Sequence, residues 1–291
     1  MRFLFEVCGL RVICGLSYQI HIKPENAPFL QEISPEAPLP ATDAALTFLP
    51  ASHLPAGWER GHFAGNHYYL TSSGERRIYF CNAPGNPPYA CTVHRSDSRN
   101  WICKYLAHGV RYMDYSTNLM EFLSFESFLL EHQALLLHSA LIRVYGKGVL
   151  FSAPSGTGKS TQADLWSGVR GADILNGDRA GLRQTDGVWT AYGLPFAGSS
   201  GIYRNESAPI AAIVALRQAP HNQIRPMNRA EAFRFLYPQL TVHQWEPDSV
   251  AAAADLLLEL LNQVPVFLLE CRPDLGAVEA AEQAIFPERS V

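Results

Sequence analysis

The stretch Leu135–Trp166, LLLHSALIRVYGKGVLFSAPSGTGKSTQADLW, decides how the chain is expected to fold. Its apolar runs predict two strands joined by the turn YGKG, and a helix is expected to begin near Lys159. Between strand and helix, the segment Ala153–Ser160 has the spacing of a Walker A phosphate loop, except that Ala153 stands at the first glycine. A strand before the loop and a helix after it form the context that this motif requires.

The residue types of the loop suit phosphate. Gly156 and Gly158 let the backbone turn so that successive N–H groups point inward, and the helix adds its positive end. Lys159 is expected to reach the β and γ phosphates of ATP, and the Ser160 hydroxyl to ligate Mg²⁺. The predicted nucleotide-binding residues are Ser155, Gly156, Thr157, Gly158, Lys159, Ser160 and Thr161. The alternative is an ordinary glycine-rich turn with an exposed lysine.

A second acid is expected near the metal. A helix from Lys159 to Arg170 would be roughly 18 Å long, and a strand from Ala172 to Asn176 would return roughly 16 Å. The end of that strand therefore lies level with the phosphate loop, and Asp178 follows it. We predict Asp178 as a metal ligand or general base; the alternative is a turn aspartate after Gly177.

The predicted secondary structure divides the chain into two parts. Residues 1–115 read as strands and turns, with hairpins at RFLFEVCGLRVIC (turn at Gly9) and HYYLTSSGERRIYFCNA (turn at SSGE). From residue 116 onward, STNLMEFLSFESFLLEHQ predicts a helix after Ser116 or Thr117. Strands and helices then alternate, with a hairpin turn at Asp186-Gly187 and helices capped by Asp248-Ser249 and by Asp274. We therefore predict an α/β domain over 116–291 whose sheet is not purely parallel.

Composition narrows the classes of protein. The chain has 291 residues and a net charge of −4 without a run of one sign, which argues against nucleic acid as a partner. The six cysteines lack the paired spacing of a zinc site or a disulfide framework. Neither a signal peptide nor a membrane span is evident, so a cytoplasmic protein without a membrane partner is expected, and a homo-oligomer remains open.

The residues Leu137–Thr161, LHSALIRVYGKGVLFSAPSGTGKST, closely resemble the region around the phosphate loop of HPr kinase/phosphorylase. Phosphoenolpyruvate carboxykinases are similar, with a His-small-Ala element before SGTGK. The chain also resembles small HPr-kinase-like proteins that modify ribosomally made peptides, including lasso-peptide precursors. The resemblance implies a mixed-sheet P-loop kinase domain of this type with a smaller β-rich N-terminal domain.

The resemblance also implies roles for individual residues. Lys159 and Ser160 match the nucleotide and Mg²⁺ residues, and Asp178 matches the second aspartate of the family's acidic pair. His138 matches the active-site histidine near the transferred phosphate; without the resemblance it would be interpreted as a core histidine of a strand. Arg179 follows Asp178 and is expected to offset phosphate charge.

Two departures from the family bear on the acceptor. Gly177 stands where the first aspartate of the acidic pair is expected, and YGLPFAGSSGIYRN replaces the segment tied to the protein substrate and to the reverse reaction. HPr as acceptor and phosphorylase activity are therefore not expected. Residues 198–205, GSSGIYRN, either border the acceptor site with Arg204 facing phosphate or form an ordinary polar connection.

These observations predict an ATP-dependent kinase with catalytic residues Lys159, Asp178 and His138. The expected acceptor is a serine or threonine hydroxyl on a peptide or small protein, held at strand edges of the N-terminal part. Two alternatives stay open: a nucleotide-sensing module without transfer, and a carboxykinase-like enzyme that acts on a small acid. The N-terminal part could instead be a structural lid or a dimerisation unit.

Overall fold

The computed structural model describes residues 1–34, 36–196 and 198–289, and the chain forms two compact units, Met1–Phe128 and Leu129–Val291. Each unit is built around its own mixed sheet. The chain is therefore a mixed α/β protein. Among the described residues, no helix combines the length and the apolar character that crossing a bilayer would take.

The first unit contains a nine-stranded sheet with the order β3-β1-β2-β4-β9-β8-β7-β6-β5. The β2–β4 and β4–β9 pairs are parallel and the others antiparallel. Its strands are β1 (Arg2–Val7), β2 (Leu10–Gly15), β3 (Leu30–Glu32), β4 (Ala44–Pro50), β5 (His62–Ala64), β6 (His67–Ser72), β7 (Glu75–Phe80), β8 (Ala90–Arg95) and β9 (Asn100–Tyr105).

Both N-terminal hairpins predicted from the sequence are confirmed. The β1–β2 turn is Cys8-Gly9, with φ of 53° and 69°, and the β6–β7 turn is Ser73-Gly74, with φ of 52° and 74°. Two successive left-handed residues match the twist of a two-residue hairpin, and glycine in the second position lowers the strain.

The helix predicted after Ser116 or Thr117 is divided in two. Helix α1 (Asn118–Leu123) ends at Ser124, whose φ of 52° breaks the helical path, and α2 (Phe125–Glu131) follows. Aromatic contacts join these helices to the first sheet, for example Phe122 with Phe48 and with Phe80 at centroid distances of 5.2 and 4.3 Å. The two units consequently meet after Phe128, later than the division expected at residue 115.

The described residues of the second unit form an eight-stranded sheet with helices packed against it. Strands β11, β15 and β17 are parallel to one another and the remaining pairs are antiparallel, so the predicted mixed sheet is confirmed. The elements are β10 (Ala134–Val144), β11 (Lys147–Ser152), α3 (Lys159–Arg170), β12 (Asp173–Asn176), β13 (Arg179–Thr185), β14 (Val188–Gly193), β15 (Ser207–Gln218), β16 (Gln223–Pro226), α4 (Arg229–Leu236), α5 (Pro247–Leu260), β17 (Val266–Cys271) and α6 (Leu275–Ile285).

Most helix ends of this unit follow the sequence, with one correction. Asp274 caps α6 as predicted, because its side chain accepts a hydrogen bond from Ala277 N. Helix α5, however, begins at Pro247, before the predicted cap at Asp248-Ser249. Proline suits the first helical position because its missing N–H would have no partner there.

Helices cover both faces of the central strands. Alternate residues of β11 point to opposite faces, so Leu150 lies in the core beneath α4 and α5, whereas Phe151 lies in the core beneath α3 and α6. Trp166 of α3 is fully buried in the second of these cores. This packing fixes the N-terminal end of α3 at the carboxyl end of β11, where the phosphate loop lies.

Candidate functional site

The loop Ala153–Gly158 joins β11 to α3 in the arrangement predicted from the sequence. Gly156 and Gly158 have φ of 78° and 114°, and nothing lies within 4 Å of the position that a Cβ would take at either residue. The loop therefore has open space beside its backbone and the conformation that only glycine adopts without strain. Thr157 stabilises the turn by donating its hydroxyl to Pro154 O at 2.9 Å.

Lys159 is the buried cation of the loop. Its side chain curls back over the loop, where Nζ donates to Ala153 O at 2.9 Å and to Pro154 O at 3.4 Å. Burial lowers the pKa of its ammonium group, and the negative charge of Asp178 partly opposes that shift. A buried ammonium group that donates to two carbonyl oxygens is well placed to exchange them for phosphate oxygens, which carry full charge.

Strand pairing brings His138 and Asp178 together. In the β10–β13 pair, His138 lies directly opposite Arg179, and Ser139 N donates to Asp178 O at 3.1 Å. The imidazole Nε2 of His138 is 3.9 Å from Asp178 Oδ1. The pairing register therefore explains how two residues forty positions apart reach one site.

These side chains face a cleft of about 400 Å³. It is lined by His138, Ser155, Gly156, Gly158, Lys159, Ser160, Thr161, Gly177 and Asp178. All three predicted catalytic residues and both predicted metal ligands are among them. Their roles in binding and catalysis stay predictions.

The charge state of His138 follows from its surroundings. Its pKa is lowered from the ordinary value of 6.5, first by burial and then by the positive charge of Lys159, against the opposing effect of Asp178. Gln239, which follows α4, also hydrogen-bonds the imidazole. A neutral imidazole at neutral pH can donate or accept one proton beside a phosphate group.

Asn176 is a positioning residue that the sequence analysis missed. Its side chain is fully buried, and Oδ1 accepts from Asp178 N at 2.9 Å and from Arg179 N at 3.0 Å. Its Nδ2 donates to Leu194 O at 2.8 Å and to Phe196 O at 3.0 Å. The Asn176 amide thus stabilises the turn that contains Asp178. It also connects this turn to the segment after β14 by hydrogen bonds. An asparagine before a glycine in a turn was the available signal.

A neighbouring loop packs closely against Gly177, where the resemblance led us to expect an acid. A Cβ at Gly177 would collide with the Ser200 hydroxyl and would lie 2.6 Å from Ser200 Cβ. A Cβ at Gly198 would lie 2.5 Å from Asp178 Cβ. The glycine-rich segment therefore packs directly on the turn that bears Asp178, and an aspartate at position 177 would require this segment to move.

The two arginines singled out from the sequence lie in different surroundings. Arg179 Nε is 3.5 Å from Asp178 Oδ2, so its charge belongs to the predicted site, although its binding to nucleotide stays a prediction. Arg204 instead pairs with Asp173 Oδ1 at 3.5 Å and with Glu206 Oε1 at 3.9 Å. Arg204 is thus part of a surface ion-pair network, which corresponds to the polar-connection alternative.

The site fits Mg²⁺ only as an ion shared with phosphate. The described residues contain no group of three or more His, Cys, Asp and Glu side chains that could hold a metal. Mg²⁺ in nucleotide sites usually takes one or two protein oxygens and completes its shell with phosphate oxygens and water. Ser160 and Asp178, on one cleft with the phosphate loop, can supply those two oxygens.

Comparisons with known proteins add one finding. No family model matches the sequence, and no curated protein matches it. Among solved structures, the chain is similar to the Hpr(Ser) kinase/phosphatase from Coxiella burnetii, with a TM-score of 0.32 and 12% sequence identity. The match covers 53% of this chain and 90% of that one, and a likeness of this size carries no argument about the site.

Proposed function

We propose that this protein is an ATP-dependent phosphotransferase that phosphorylates a serine or threonine hydroxyl on a peptide or small protein. One observation carries the proposal: Asp178 and His138, 3.9 Å apart, share a cleft with the phosphate loop, Lys159 and Ser160. This combination provides phosphate binding, a carboxylate that can accept a proton and a neutral imidazole within a single site.

Lys159, Ser160 and Asp178 have direct parts in the transfer. Lys159 and the N–H groups of the loop hold the terminal phosphates, and Ser160 with Asp178 would hold Mg²⁺, which neutralises charge on the phosphate oxygens. Asp178 orients the acceptor hydroxyl and accepts its proton as the oxygen bonds to the γ phosphorus. The bond between the γ phosphorus and the bridging oxygen breaks, and ADP leaves. Positioning and charge neutralisation supply most of the catalysis.

The acceptor class is supported by the first unit. Edge strand β5 is only three residues long, and Phe63 on it is 37% exposed and packs against Tyr68, which contacts Trp58. A terminal strand of the sheet beside one exposed and two partly buried aromatic side chains suits an extended peptide, which can add itself to the sheet as a further strand.

A cavity in the same unit favours an acidic peptide. The cavity is about 340 Å³ in volume and contains three arginines and one carboxylate, Arg60, Arg77, Arg95 and Glu75. Glu75 pairs with Arg77 at 2.6 Å and Asp97 pairs with Arg95 at 3.3 Å, so the three arginines exceed these two carboxylates by one positive charge. An acidic side chain or a terminal carboxylate of a peptide would balance this charge.

A second function is favoured by one observation. The packing of Ser200 against Gly177 leaves a single carboxylate where kinases of the resembling family have two. A module that binds nucleotide and senses it without transfer would need only the phosphate loop.

Incubation of the protein with γ-labelled ATP, Mg²⁺ and paired peptides that differ by Ser→Ala separates the two functions. We expect label in the serine peptide alone, and none with Lys159→Ala. Nucleotide binding without label in any peptide, and without release of phosphate, would favour the sensing module instead.

A further inference from the structure

A second cavity adjoins the phosphate loop on the side of α3 and β17. Its volume is about 430 Å³, and it shares Gly156, Gly158 and Thr161 with the cleft described above. Its other walls include Gln162, Gln218 and Cys271. A ligand whose phosphates lie on the loop can therefore extend into this cavity without leaving the protein surface.

The sheet explains why these residues meet. Strands β11, β15 and β17 run parallel, and Gln218 and Cys271 are paired at the carboxyl ends of the latter two. Ligands of parallel α/β sheets bind beyond the carboxyl ends of the strands. Gln218 also donates to Gly156 O and to Thr157 O, both at 3.4 Å, so this wall is attached to the phosphate loop.

Gln162 has an unsatisfied acceptor in the wall of the cavity. Its side chain is 2% exposed, and Nε2 donates to Cys271 Sγ at 3.4 Å. Its Oε1 is buried and has no hydrogen-bond partner. A buried amide oxygen without a partner is uncommon in folded proteins, and a ligand that donates a hydrogen bond would satisfy it.

We infer that this cavity holds the nucleoside of the donor, with Gln162 Oε1 accepting a hydrogen bond from the exocyclic amino group of the base. The inference rests on the proposed function, because it assigns the phosphates to the adjoining loop. One N–H of the amide is engaged by Cys271 Sγ, whereas the unpartnered atom of Gln162 is the acceptor Oε1. Adenine presents one amino group on its base, and inosine has a carbonyl oxygen there instead.

Cys271 provides a probe of occupancy that does not depend on activity. The other five cysteines, at 8, 14, 81, 91 and 103, are buried, whereas Cys271 is partly accessible. Alkylation of the native protein with N-ethylmaleimide should therefore modify Cys271 first, and Cys271→Ser is the control that takes up no early label. Nucleotide at ten times its Kd leaves about one eleventh of the protein free, so labelling should slow about elevenfold.

Inorganic tripolyphosphate is the matched ligand without a nucleoside. It should bind the loop, as measured by its competition with ATP, and leave the rate of Cys271 labelling unchanged. If calorimetry shows that ATP binds but ATP does not slow the labelling of Cys271, the assignment of the nucleoside to this cavity is wrong. The kinase proposal would stand in that case. Protection without phosphate transfer to any peptide would leave the assignment standing and remove the kinase proposal.

The hydrogen bond from the base has its own test. ATP should bind roughly five- to tenfold more tightly than ITP, the usual effect of one neutral hydrogen bond, and Gln162→Leu should bring the two affinities together. A melting curve checks that Gln162→Leu is folded. If the variant is not folded, the affinities of the wild-type protein for ATP and ITP decide whether the base donates this hydrogen bond. Equal affinities of wild-type protein for ATP and ITP would overturn the contact with Gln162.

Discussion

The two units of the protein differ in how their residues come together. In the second unit, the stretch 155–161, one strand pair and one turn supply the residues that line the candidate site. In the first unit, the sheet joins strands from distant parts of the chain, and its arginine cavity draws on segments around residues 60, 75 and 95. The difference teaches that local motifs suffice to predict the proposed phosphate site, whereas the proposed acceptor cavity depends on long-range strand pairing.

The largest effect is expected from Lys159→Ala. Loss of transfer in this variant would assign the phosphate chemistry to the second unit, which contains Lys159. Loss of the buried ammonium group should lower phosphoryl transfer by about a thousandfold or more, as loss of a preorganised charge does elsewhere. The rate of transfer to a serine peptide measures this. Lys147→Ala, at the exposed start of β11, is the matched control and should retain full activity. Normal transfer by Lys159→Ala would remove the nucleotide interpretation.

Asp178→Asn should lower the rate of transfer by about a hundred- to a thousandfold and leave nucleotide bound, because an amide cannot accept the acceptor's proton. Single-turnover kinetics with calorimetric binding of ATP distinguish the two effects. Asp173→Asn, at the other end of β12, changes an ion pair with Arg143 and should leave the rate of transfer intact. A normal rate for Asp178→Asn at saturating Mg²⁺ would show that another group acts as the base.

His138→Ala should slow transfer by about ten- to a hundredfold, within the range of a proton-handling side chain. The imidazole is only partly buried, with 29% of its side chain exposed, so the melting temperature should change little. Thermal melting and kinetics on the same preparation decide between function and packing. A large fall in melting temperature with normal activity would identify His138 as a core residue.

Arg60→Glu tests the first unit. Reversing one charge in the arginine cavity should raise KM for an acidic peptide severalfold, as expected for a partly exposed charge pair, and leave kcat and nucleotide hydrolysis unchanged. A neutral peptide of the same length is the control. An unchanged KM for both peptides would favour the alternative that this unit is a lid or a dimerisation unit.

The smallest effect concerns pH. Because the pKa of His138 is lowered below 6.5, the neutral imidazole persists in acid, and kcat/KM should stay level as pH falls through 6.5 and decline only below it. His138→Asn should remove this acidic decline. On the alkaline side, activity should fall as pH rises through the lowered pKa of Lys159, below 10.5. An acidic decline that reaches half of the wild-type activity already at pH 6.5 or above would contradict the assignment to His138.

The sequence predicts the second unit well because its signals are local. The glycines of the phosphate loop, the helix from Lys159 and the turn at Asp186-Gly187 each require only neighbouring residues, and the helix and strand lengths place Asp178 beside the loop. Gln239 could not be found in this way, because it reaches His138 only through the pairing of Leu240 with Leu137. The order of the first sheet could not be predicted either, because pairs such as Val12 with Ala44 and Ala45 with Asn100 are far apart in sequence and leave no local pattern.

The packing of Ser200 against Gly177 restricts the mutational paths open to this site. A second carboxylate cannot enter by Gly177→Asp alone, because the new Cβ would collide with Ser200. Trimming Ser200 to glycine first would open the space, and the same two substitutions in the reverse order would pass through a strained intermediate. A second carboxylate at position 177 is therefore accessible only by an ordered pair of substitutions, with the change at Ser200 before the change at Gly177.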